Sequence, residues 1–284
     1  MPDAIDEFES IFRRAEKQSF EFADIPIESV TIVTDGEAAA GEQTAEAVRS
    51  FVRPLQRANS WRIISGAEFS NVKTLLEMID TEQTDLIVTY RHLHERDMLP
   101  VHSLGVYLDM LTQTTSIPVL VLPGLSHDPA PLNDGDCDRV MIVADHISGD
   151  NRLINYGVKL CRTGGSLWLC HVEDDRIFQR YAAAIRRIPE LDSDDTIRLL
   201  ESQLLHDARQ FLSSCEKVIS TSHADITVHS HAARGHHLQD YRRLIHSENI
   251  DLLVMNTKDD DQLAMNGRAY SMSVELTDVP MLLL

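Results

Sequence analysis

The chain repeats itself, and that constrains its fold more than any other feature. VTIVTD at 30–35 returns as VMIVAD at 140–145, DLIV at 85–88 as DLLV at 251–254, and IPVLVL at 117–122 as VPMLLL at 279–284. Ahead of each last run a glycine stands 13 positions before the proline, Gly105 before Pro118 and Gly267 before Pro280. Four matches in one order point to an internal duplication. The runs are apolar without polar alternation, as in strands buried on both faces of a parallel sheet. Stripes of about 3.6-residue period lie between them, at 42–55, 71–81, 104–111, 151–161 and 236–246. Strands alternating with helices predict right-handed βαβ crossovers and a doubly wound α/β sheet.

The copies differ in length. Asp35 to Asp85 spans 50 residues and Asp145 to Asp251 spans 106. The second copy has room for an extra strand at 167–172 and a long helical insert at 176–217, broken near Pro189 and the acids at 192–195. Its stripes (Ile177, Tyr181 and Ile185; Leu199, Leu200 and Leu204) are expected to face the core. The first copy passes almost directly from its first helix to the run at 61–64, so it reads as a reduced unit. The expected division is an N-terminal helical extension (1–27, with a helix at 5–18), a first domain (28–123), a turn-rich linker (124–138) and a second domain (139–284).

These motifs resemble the universal stress protein family over most of residues 28–284. The resemblance implies two Rossmann-like units of the adenine nucleotide alpha hydrolase-like kind in tandem, the first one reduced. Family members pair through their last strands, which implies an intramolecular pseudo-dimer with 119–122 beside 281–284 and leaves room for a homodimer. In ATP-binding relatives the aspartate ending the first strand contacts the nucleotide, and Asp35 and Asp145 match that position. Such relatives also carry Gly-x2-Gly-x9-Gly-Ser/Thr after the fourth strand, whose glycines let backbone N–H groups approach phosphates. Only the last glycine of each set, Gly105 and Gly267, is retained here, and Val106 and Arg268 follow where a hydroxyl is expected. Leucine and arginine stand for the first two glycines in the first copy, aspartate and glutamine in the second. The second copy's Asp259, Asp260 and Asp261 would repel a triphosphate, at about 1 to 4 kcal/mol for each close charge pair. In the first copy Arg91, with His92, His94 and Arg96, could hold an anion without the glycines.

Charge and motif content narrow the function further. A formal charge of −19, with 45 acidic against 26 basic side chains, disfavours nucleic acid and anionic lipid. No run of about 18 apolar residues predicts a membrane span. Met1-Pro2-Asp3 opens no signal peptide, and four scattered cysteines fit a reducing cytoplasm. His229 and His231 alternate on an expected strand, with His223, His236 and His237 near in sequence, but no zinc-ligand spacing appears. No GxSxG or Walker motif is present. The expectation is a non-enzymatic, cytoplasmic stress-response or regulatory protein with no cofactor, binding a protein partner or a small ligand. The alternative is an adenine-nucleotide binder holding ATP, with at most slow hydrolysis.

Overall fold

The computed structural model describes residues 20–95, 102–124, 131–132, 135–144, 151–190, 192–258 and 265–284. The helix expected at 5–18 therefore lies outside the described residues, as does Asp145.

Nine strands form one sheet in the order β2-β1-β3-β4-β9-β8-β5-β6-β7. The first half supplies β1 (Ser29–Val33), β2 (Ser60–Ile64), β3 (Leu86–Thr89) and β4 (Val119–Val121). The second supplies β5 (Arg139–Val143), β6 (Ser166–Asp174), β7 (Thr227–Gly235), β8 (Leu252–Met255) and β9 (Met281–Leu283). Pairing is parallel within each half. The halves join through one antiparallel ladder, β4 on β9, with Leu120 opposite Leu282. That is the pairing expected of the last strands. All residues of β3, β4, β8 and β9 are buried, which is why their sequences show no polar alternation.

Eight α-helices cover the sheet among the described residues: α1 (Ala38–Phe51), α2 (Val72–Thr81), α3 (Val106–Thr114), α4 (Asn151–Leu160), α5 (Asp175–Ile185), α6 (Ser193–Ser222), α7 (His237–Glu248) and α8 (Gly267–Glu275). Local chemistry fixes several starts. Asn71 caps α2 through Thr74 N at 3.0 Å, and Asp174 caps α5 through Arg176 N at 2.7 Å. A short 3₁₀ turn (Arg53–Arg57), with Pro54 near its start, ends the run expected as helix to residue 55. The extra strand expected at 167–172 is β6, and β2 matches it, since each pairs in parallel with the first strand of its half; the strand without a counterpart among the described residues of the first half is β7, so β2 closes that end of the sheet.

The insert differs from expectation. Ile177, Tyr181 and Leu199 are 42%, 51% and 69% exposed. Phe178 and Ala182 of α5, and Ala208, Phe211, Leu212, Cys215 and Ile219 of α6, make the buried contacts instead. The buried stripe of α6 is set by its C-terminal half, which crosses β7.

Candidate functional site

In a parallel sheet of this topology a ligand cleft lies beyond the carboxyl ends of the strands, where the order reverses between the first strand and its neighbour. In the first half that point lies between β1 and β3. The register Ile32 opposite Val88 carries Thr34 and Asp35 level with Tyr90 and the turn after it.

Asp35 stands at this point with both carboxylate oxygens engaged. Oδ1 accepts the Tyr90 hydroxyl in a short bond, and Oδ2 accepts the His94 backbone N–H at 3.1 Å. The Tyr90 oxygen also accepts Asp35 N–H at 3.1 Å and lies 2.9 Å from the Thr34 hydroxyl. Burial, reinforced by the Asp35 carboxylate, pushes the Tyr90 phenol up to about 12. The turn carrying these groups is unusual: His92 and His94 have φ of 61° and 58°, a region that L residues rarely adopt. Above Asp35, the Phe69, His94 and Tyr107 rings form a cluster with centroids 4.8 to 5.6 Å apart. Side chains thus occupy the space over the strand ends. Gly66 closes the far side: a Cβ there would sit 2.2 Å from the Asp35 carbonyl oxygen.

The amino end of α3, the place for a phosphate in the expected loop, is also occupied. Glu95 Oε1 accepts Val106 N–H at 2.9 Å. Its Oε2 lies 3.7 Å from His92 Nδ1, and both of those atoms are buried without a hydrogen-bond partner among the described residues. A carboxylate at a helix N-terminus complements the exposed N–H groups and the dipole as a phosphate would. Gly105, at φ 82°, is needed for this packing, since a Cβ there would meet Glu95 Oε2 at 2.5 Å and His92 N at 2.8 Å. Glu95 lies ten residues ahead of Gly105, the spacing of the second loop glycine; sequence reasoning assigned leucine and arginine to the missing glycines and passed over it.

Arg91 does not face the cleft. It is 1% exposed and points across the seam between the halves. Its guanidinium donates to Ser273 O at 2.8 and 3.2 Å, to Leu122 O at 3.3 Å and to Gly124 O at 3.2 Å. Desolvation lowers its pKa to about 10. The anion-holding role expected of Arg91 is therefore replaced by a structural one, because its donors are engaged by backbone carbonyls of both halves.

In the second half Asp145 and the acids at 259–261 lie outside the described residues. Gly267 opens α8 with no atom of the described residues within 4 Å of a Cβ built on it, and Asn266 caps the helix through Ala269 N at 2.8 Å. Nearby, His171 Nδ1 meets Ala144 O at 2.8 Å and His237 Nε2 meets Val172 O at 2.6 Å, which fixes both rings on the sheet. His229 stacks on Trp168 at 4.2 Å, and His223 packs edge-on against Phe22 at 4.5 Å. Among the described residues no three His, Cys, Asp or Glu side chains converge as a metal site. No described helix is long and apolar enough to cross a membrane.

One mostly parallel sheet of two halves, joined last strand to last strand, with the cleft at the first-strand aspartate, defines a tandem Rossmann-like protein. The chain carries the universal stress protein fold in this tandem form. A universal stress protein from Archaeoglobus fulgidus DSM 4304 matches with a TM-score of 0.50 and 16% identity, over 91% of this chain and 88% of that one. A functionally unknown protein from Pseudomonas aeruginosa PAO1 matches at 0.53 and 12% identity, over 91% and 92%. No protein-family model and no curated protein matches the chain.

Proposed function

We propose that this protein is a non-enzymatic stress-response or regulatory protein that acts by binding a protein partner or a small ligand, and that its first half has exchanged nucleotide for its own side chains. The reading rests above all on Glu95, whose carboxylate holds the α3 amino end where a phosphate would sit. The engagement of Asp35 by Tyr90 and His94 supports it at the other end of the cleft. The universal stress fold supports the physiological class. The division into domains at 28–123 and 139–284, and a cytoplasmic setting, belong to the same proposal.

The second reading, an adenine-nucleotide binder with at most slow hydrolysis, draws on Gly267 at the start of α8, where no atom of the described residues lies within 4 Å of an added Cβ. Titration of the full chain with a fluorescent ATP analogue separates the two. The expected result is no saturable binding by wild type in the micromolar range. Micromolar binding that disappears in Asp35→Ala overturns the proposal for the first half; micromolar binding that survives it assigns nucleotide to the second half.

A further inference from the structure

A concavity among the described residues lies at the opposite end of the sheet from this cleft, where the strands begin. Its volume is about 830 Å³, within the usual range for a small-molecule site. The segment before β1, the 3₁₀ turn after α1, the end of α4 and the turn before β7 form its walls, so both halves contribute. Four cations line it, Arg53, Arg57, Lys159 and Arg162, against two carboxylates, Asp24 and Asp225. That excess stands out in a chain of net charge −19.

Most of these cations are already paired. Lys159 Nζ meets Asp24 at 2.9 Å. Arg53 and Arg162 share Asp136, each at 2.6 Å, and Arg162 also reaches Asp138 at 3.3 Å. Helix dipoles account for Lys159, which sits in the last turn of α4. Arg57 differs from these three: it is exposed, has no carboxylate partner among the described residues, and ends the 3₁₀ turn Arg53–Arg57, a single short turn whose dipole is small beside that of a full helix. Phe22, the His223 ring and the edges of the buried Ile27 and Ile226 also line the groove and supply its apolar surface.

We infer that this groove binds an organic monoanion with a flat apolar body, its carboxylate held by Arg57 and its body laid against Phe22 and Ile226. One spare guanidinium matches one carboxylate through a two-pronged hydrogen-bonded pair. A compact dianion fits poorly, since Asp24, Asp225 and the carboxyl ends of α4 and α6 surround the same space.

The test uses the full chain and 2-naphthoate as probe, followed by calorimetry. The neutral 2-naphthamide, inorganic phosphate and the variants Arg57→Ala and Arg57→Lys serve as comparisons. The expected result is saturable binding of naphthoate at a single site. Arg57→Ala weakens it by about tenfold with an unchanged melting temperature, and Arg57→Lys weakens it less. The amide binds correspondingly weakly, and phosphate does not displace the probe. Equal affinity in Arg57→Ala or for the amide, displacement by phosphate, or no saturation by about 10 mM probe, beyond the weak end of specific affinities, overturns the inference. The groove and the nucleotide cleft lie at opposite ends of the strands, so this outcome is independent of the ATP titration.

Discussion

Replacing Arg91 by methionine removes a buried guanidinium whose donors reach four backbone carbonyls, those of Ser273, Leu122, Gly124 and Leu276. Methionine fills most of the volume but leaves those carbonyls without their donor, at about 1–3 kcal/mol each. Against that stands a gain. A guanidinium pKa lowered to about 10 means that burial costs the cation on the order of 3 kcal/mol, and the variant is relieved of it. The difference is a net loss of about 1–9 kcal/mol, a range that contains the cost of removing one partner from a buried charged network. For a chain of this size, at about 2 °C per kcal/mol, that corresponds to a melting point lower by about 2–18 °C, read by scanning calorimetry. Arg91→Lys keeps the charge but loses the planar fork that reaches both halves, so it is also destabilised. Amide exchange should quicken around residues 122–124 and 273–276, on both sides of the seam. A variant melting as high as wild type refutes the reasoning, because four orphaned carbonyls cannot then be present.

The Tyr90 phenol, raised to about 12, keeps its proton in the folded chain after an unfolded tyrosine has lost it. Its contribution to stability is therefore complete below pH 10 and is lost as pH rises through about 12; Tyr90→Phe should flatten that alkaline decline in urea-melt midpoints. All four cysteines are free and buried, and burial pushes their thiols up. An aromatic disulfide reagent at pH 8 should leave the native protein almost unmodified and titrate four thiols after denaturation.

Much of the fold is readable in the sequence because continuous apolar runs between helical stripes admit few arrangements. The strands near residues 30, 86, 140 and 252 follow from local pattern and the duplication, and the pairing of the last strands from the family resemblance. The insert was harder. Its two helices carry apolar residues on more than one face, and only packing against β7 selects which face is buried. At the cleft, Asp35 was legible from its place at the end of the first strand. Its closure by Tyr90 depends on register between strands distant in sequence, and the role of Glu95 depends on a turn with two left-handed histidines. Arg91 misled for a related reason: a cation in a loop looks available to ligands, yet here the chain folds back over it.

The single antiparallel ladder between β4 and β9 also changes what holds the two halves together. Two separate proteins meeting along such an edge would come apart on dilution, as any reversible complex does. Covalent continuity turns their encounter into an intramolecular event at an effective concentration set by the connecting chain. The junction therefore survives at any cellular abundance, and each half was left free to drift from the other. One could shed a strand and close its own cleft while its neighbour kept the full complement.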